Sequence, residues 1–175
     1  ESPPEPVFGS GPDQIRLRYR RCDESRPPLL AAGPTGAIGQ DWFAARLTRA
    51  LALRDRLYDA PYYRLAHAEA DALPGIIIDR FGDLAVIQPN AAWAEVHLAD
   101  LAGALAAVTG VTTIVKNGTG RSRSLEGLPE ETTVLRGRVD GPLPVPMNGA
   151  TYMADVTGGQ KTGLFFDQRD NHAFA

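Results

Sequence analysis

Near its end the chain reads Leu164-Phe165-Phe166-Asp167-Gln168-Arg169-Asp170-Asn171. Five consecutive polar side chains follow three apolar ones. They could be the solvated first turn of a helix, with acids at its positive end. They could instead meet a ligand that carries both a carboxylate and an ammonium group, because an Arg fork matches a carboxylate. Just upstream, Gly158-Gly159-Gln160-Lys161-Thr162-Gly163 has the composition of a phosphate-binding loop but not its spacing. Such a loop needs Gly directly before the Lys and another Gly five residues earlier, so that backbone amides curl round the phosphates. Gln160 and Asp155 occupy those positions. Gly118-Thr119-Gly120 lacks the third Gly of a dinucleotide-binding turn, since position 123 is Arg.

Other chemistry is thin. His67, His97 and His172 stand far apart, and no spacing suggests a metal site. The single cysteine, Cys22, has no base placed beside it and reads as a plain thiol. It also rules out an internal disulfide. Arg16, Arg18 and Arg20 alternate with Ile15, Leu17 and Tyr19, which predicts a strand with one buried face and a row of guanidinium groups on the other. Of the 18 basic residues only Lys116 and Lys161 are Lys, yet the net charge is -3. The charge balance alone does not point to nucleic acid, so any such claim rests on local clusters such as this row.

The elements that must hold these groups can be read from pattern. The chain has 175 residues, 43% hydrophobic and 22% charged, which suits one full globular core or two small ones. No apolar run nears the roughly 18 residues of a membrane helix; residues 101–108 come closest. A soluble, cytoplasmic protein that does not engage a membrane is the expectation. Residues 1–13 hold four prolines and read as a linker. A helix is predicted over 41–58, with Asp41 placed to cap it and Pro61 to end it. Short β-rich runs follow at 63–67, 75–80, 84–89, 111–116 and 132–139. Phe81-Gly82-Asp83 marks a hairpin between the second and third of them. An Ala-rich helix is predicted over 93–108. Asn148-Gly149 suits a tight hairpin turn between 142–146 and 151–156. This order predicts an α/β (α+β) fold: a compact middle domain over 60–140 with a mixed or antiparallel sheet and one main packed helix.

Residues 159–171 resemble the G-Q-K-T-G-F-F-L-D-Q-R-D-N signature of a methyltransferase family, the S-adenosylmethionine-dependent large-subunit ribosomal RNA cytosine-C5 methyltransferases. Residues 63–83 are similar to that family's Y-R-L-x-x-x-E-x-D-x-L-P-G-L-I-V-D-R-(Y/F)-G-D. Arg123 with Glu126-Gly127-Leu128 resembles its R-x-x-E-G-L, the helix over 42–57 resembles its connector, and Gln14-Ile15-Arg16-Leu17-Arg18 resembles the closing strand of its PUA domain. The likeness covers roughly 14–175. Two stretches depart from it. Met147 stands where the family often has an acid, and Lys116-Asn117-Gly118 replaces its usual E-R-S.

The resemblance implies an enzyme built from a PUA domain, a middle α/β domain and a Rossmann-like methyltransferase domain. On that likeness residues 1–40 are the end of a PUA-like domain and a linker, and 41–59 are a connecting helix. Residues 60–140 are then the middle domain, and 141–175 are a β-hairpin and helix start leading to a Rossmann-like domain. The implied cofactor is S-adenosylmethionine, met by Lys161, Thr162, Phe166, Asp167, Gln168 and Arg169. The implied partner is ribosomal RNA, met by Arg16, Arg18, Arg20, Arg121 and Arg123; a homodimer is a further expectation. No catalytic residue of the family's pattern falls within the chain, and the nucleophilic cysteine is expected downstream of Ala175. On this reading the 175 residues alone bind no cofactor and are inactive, and the terminal helix is frayed or held by a neighbouring molecule. The alternative is a noncatalytic RNA-binding or scaffold module.

Overall fold

The structure is a computed structural model that describes residues 38–158, 164 and 166–174, with Asp167, Asp170, His172 and Phe174 as backbone only. The chain divides into two units, Glu1–Pro34 and Thr35–Ala175. The first unit lies outside the described residues, and with it Cys22 and the arginine row Arg16, Arg18 and Arg20.

In the second unit, helix α1 (Gln40–Arg54) comes first. Its run has no Gly or Pro, and Trp42, Phe43, Arg46, Leu47 and Ala50 form one buried stripe at helical spacing. Asp41 was expected at the cap. Gly39 holds that position, and Asp41 sits one step inside the first turn, where it still faces the positive helix end. The helix stops at Arg54, four residues before the predicted end, and its last turn tightens into bonds such as Leu57 N–H to Arg54 O (2.9 Å). Arg54 then clamps both oxygens of Asp71 at 2.7 Å and fixes that end of the helix.

Five strands follow: β1 (Tyr62–His67), β2 (Ile76–Phe81), β3 (Leu84–Pro89), β4 (Thr113–Asn117) and β5 (Thr132–Arg136). They lie side by side in chain order, antiparallel except for the parallel pair β3–β4. The β2–β3 turn closes at Phe81 opposite Leu84, with Gly82 at φ +64 supplying the left-handed residue. A parallel pair needs a crossover, and the Ala-rich segment provides it. That segment is two helices, α2 (Ala92–Val96) and α3 (Leu98–Thr109), with the backbone leaving the helix at His97. Gly110 at φ +73 ends α3.

The sheet is mixed and covered on both faces. Leu84, Ala85, Val86 and Ile87 are all buried, as a strand covered on both sides requires. On one face lie α3, which is the main helix expected, and α1. The helix read as a connector is thus also part of this layer. Phe43 stacks on Trp93 with ring centroids 6.2 Å apart, and Trp42 meets both edge-on. On the other face lies a hairpin, β6 (Leu143–Met147) and β7 (Ala150–Ala154). Its turn is Asn148-Gly149 with φ of 56 and 75, the pair of left-handed residues that a tight hairpin needs. Val145, Met147, Ala154 and Val156 pack with Phe81, Leu84, Val86 and Val115 of the sheet.

Candidate functional site

The signature segment is built outward from that hairpin. After β7, Asp155 Oδ1 accepts from Thr157 N (3.1 Å), Thr157 Oγ1 (3.2 Å) and Gly158 N (2.8 Å). This side-chain-capped turn follows the end of the strand. Lys161 and Thr162 lie outside the described residues. Leu164 and Phe166 are buried again in the core shared by sheet and hairpin, and the Phe166 ring lies 5.4 Å from that of Phe81. A turn of 3-10 helix (Phe166–Gln168) leads into α5 (Arg169–Phe174). The helix start was expected to be frayed or held by a neighbouring molecule. It is instead docked on the sheet of its own chain, because Phe166 buries its ring there.

Arg169 ties the same segment down a second time. Its Nη2 donates to the carbonyl of Tyr62 at the start of β1. The guanidinium carbon lies 4.7 Å from the centroid of the Tyr58 ring and 6.0 Å from that of Phe166. Asn148, in the hairpin turn, donates from Nδ2 to the Arg169 carbonyl at 2.6 Å. Among the described residues Arg169 Nε is buried and has no acceptor. Gln168 turns outward, with its Oε1 taken by Asn171 Nδ2 at 2.6 Å. Phe166 and Arg169 therefore come together beneath the segment, Gln168 stands on its exposed side, and Asp167 is placed by its backbone alone. Tyr58 and Tyr62 were not singled out from sequence. Tyr58 read as one more apolar position of a helix, and a carbonyl acceptor such as that of Tyr62 leaves no sequence signal.

A second polar constellation sits at the ends of β3 and β4. Arg123, on the short helix α4 (Arg121–Leu125), is fully buried. Its Nη1 donates to Pro89 O (2.5 Å) and to Glu95 (2.9 Å), while Nε and Nη2 donate to Pro129 O (3.3 and 2.9 Å). Lys116 Nζ reaches the other Glu95 oxygen at 2.9 Å and Glu131 at 3.5 Å. The sequence reading put Arg123 on RNA beside Arg121. Arg121 is exposed, but Arg123 is a strut inside the fold, its donors turned to carbonyls and a carboxylate. It cannot meet a phosphate without leaving the core. A signal existed: Lys116 ends an otherwise uncharged β-branched run, and Glu95 interrupts an Ala-rich one.

Burial pushes the Glu95 carboxyl up, but the hydrogen bonds and charges of Lys116 and Arg123 outweigh it, leaving the group below its ordinary value of 4.5. A carboxylate lowered on folding adds stability above its unfolded pKa and loses it as pH falls through the folded one. Stability of the chain should therefore decline as the medium is acidified below the ordinary carboxylate range. Glu95→Gln should flatten that decline in urea midpoints measured across pH; a variant with the parent's acid slope would place the titration elsewhere.

Among the described residues no group of three or more His, Cys, Asp or Glu could hold a metal, and no helix is long and apolar enough to cross a membrane.

No family model matches the chain. Curated relatives do. Ribosomal RNA large subunit methyltransferase I of Shewanella amazonensis is 41% identical over 143 residues, covering 79% of this chain and 36% of the relative. The protein of the same name from Pseudoalteromonas translucida is 34% identical over 164 residues, covering 91% and 39%. Among solved structures, a putative SAM-dependent methyltransferase from Streptococcus mutans shares the fold with a TM-score of 0.68 at 18% identity, over 80% of this chain and 36% of that one. A putative methyltransferase complexed with SAH gives a TM-score of 0.67, also at 18%. The chain spans a little over a third of the length of the curated relatives it matches. Over most of its length the chain is thus similar to one part of proteins named ribosomal RNA large subunit methyltransferase I, and it shares a fold with the two solved structures.

Proposed function

We propose that the complete protein transfers a methyl group from S-adenosylmethionine to C5 of a cytosine in large-subunit ribosomal RNA, and that this chain supplies one wall of the cofactor pocket. The observation that carries the reading is the double anchoring of residues 164–169. Phe166 in the core and Arg169 on Tyr62 hold a polar segment at the surface, where a solvated helix turn would need no such anchors. S-adenosylmethionine when bound supplies an electrophilic methyl on a sulfonium, and an amino-acid end with a carboxylate and an ammonium group. On the family resemblance Lys161, Thr162, Asp167 and Gln168 are the residues that would meet the cofactor, and Phe166 is buried in the core beneath Gln168. Arg169 keeps one buried N–H, at Nε, for an incoming carboxylate. The RNA is held by the arginine row Arg16, Arg18 and Arg20 and by Arg121. The nucleophile that adds to C6 of the base is a cysteine thiolate.

The test is methylation of protein-free large-subunit ribosomal RNA by the complete protein with methyl-labelled S-adenosylmethionine. Digestion to nucleosides should place the label in 5-methylcytidine. Label in another nucleoside would overturn the cytosine-C5 assignment, and unlabelled RNA would overturn the activity.

A further inference from the structure

Arg169 does not choose its own position. Its side chain is met by the ring of Tyr58, in the stretch that joins α1 to β1, and by the carbonyl of Tyr62 at the start of β1, both over 100 residues away in sequence. Tyr58 is itself braced. Its ring stacks on that of Tyr63 at 5.3 Å and 25°, and Tyr63 is fully buried with its hydroxyl accepting from Arg80 (3.4 Å). A guanidinium over an aromatic face is attracted by the ring's negative quadrupole, an attraction that strengthens as water is excluded. A leucine would fill similar space and exert none of it.

We propose that Tyr58 is a positioning residue for the cofactor wall: its ring fixes the Arg169 guanidinium, and through it the start of α5 and the Nε–H offered to the cofactor. The inference rests on the functional reading above. It assigns to the α1–β1 connection a part in cofactor binding although no residue of that connection belongs to the signature. The hairpin completes the arrangement from the opposite side, since Asn148 takes the Arg169 backbone carbonyl. The guanidinium and the backbone of one residue are thus held by two separate elements, and rotation of the helix start about its axis is blocked.

The experiment is calorimetric titration of the complete protein with S-adenosylmethionine, and of its Tyr58→Phe and Tyr58→Leu variants. Phe keeps the aromatic face and should bind as the parent does. Leu should raise Kd roughly five-fold through the lost cation–aromatic contact, with binding stoichiometry and RNA affinity unchanged. A merely structural role would lower the active fraction and affect both ligands together. In an Arg169→Ala background, Tyr58→Leu should add nothing, because the residue acts through that guanidinium. Equal cofactor affinity for parent and Tyr58→Leu would overturn the inference and leave the functional reading intact, as would additive effects in the double variant. A parent protein that binds no S-adenosylmethionine would overturn the functional reading itself.

Discussion

Arg123→Ala is expected to destabilise the chain by about 3–5 kcal/mol, the cost of breaking a buried ion pair by removing one partner. The side chain is fully buried and serves three separate pieces of chain: the end of β3 through Pro89 O, the loop before β5 through Pro129 O, and α2 through Glu95. Truncation leaves both carbonyls without that donor. It also leaves Glu95 with Lys116 alone, at 2.9 Å, to answer a carboxylate now poorly balanced. Glu95 is a quarter exposed, so water recovers part of its solvation, and the effect should fall toward the lower end of the range. Arg123→Lys should recover only part of the loss, since an ammonium on a flexible stem cannot donate to two carbonyls and a carboxylate in fixed directions. Urea unfolding of parent and variants gives the comparison. A loss below about 1 kcal/mol, the size of an exposed ion pair, would show that the cluster is solvated and that Arg123 is available for other partners.

That cluster marks where sequence reading reaches its limit. Hairpins were legible because their turns announce themselves: Gly82 and the pair Asn148-Gly149 need left-handed backbone, and β-rich runs flank each turn. The strands of the central sheet fell within a residue or two of their predicted positions, except that β5 stops at Arg136, next to Gly137 at φ +73. The break at His97 was invisible because no Gly or Pro marks it; the Ala-rich pattern runs straight through. The buried stripe of α1 was also in the sequence, but a stripe says only that a face is covered and not by what. Trp93 and α3 provide the cover, and only the sheet topology brings them there.

The same limit governed the charges. Glu95 and Lys116 lie 21 residues apart, and Glu95 and Arg123 lie 28 apart. A guanidinium fork fits phosphates, carboxylates and carbonyls alike, so residue type could not decide between RNA and the core. Arg169 raised the converse question. Its type suggested a ligand carboxylate, and the fold shows one edge already on a carbonyl with a second N–H left over. The signature was legible as a polar segment after an apolar one. That the apolar part docks on Phe81 could not be read, because it depends on which sheet face the hairpin covers.

Arg169→Ala in the complete protein should weaken S-adenosylmethionine binding by about 1.5–3 kcal/mol, the range for losing a hydrogen bond to a charged group. Two losses combine in that figure. The direct one is the Nε–H, buried and without an acceptor among the described residues, which a ligand carboxylate would satisfy. The indirect one is release of the helix start once Tyr62 O and the Tyr58 face lose their partner. Arg169→Lys separates them. Lys keeps a positive charge near the Tyr58 ring and can still anchor the segment, but it has no Nε–H and no planar fork. It should therefore hold thermal stability close to the parent while cofactor affinity falls nearly as far as in the Ala variant. Calorimetry for affinity and thermal unfolding for stability, made on the same preparations, give both readouts. Parental affinity together with a lowered melting temperature would make Arg169 an anchor only. The carboxylate of the cofactor would then have to be met by other residues of the signature, such as Lys161 and Thr162, and the polar run after Phe166 would be a folding motif rather than a binding one.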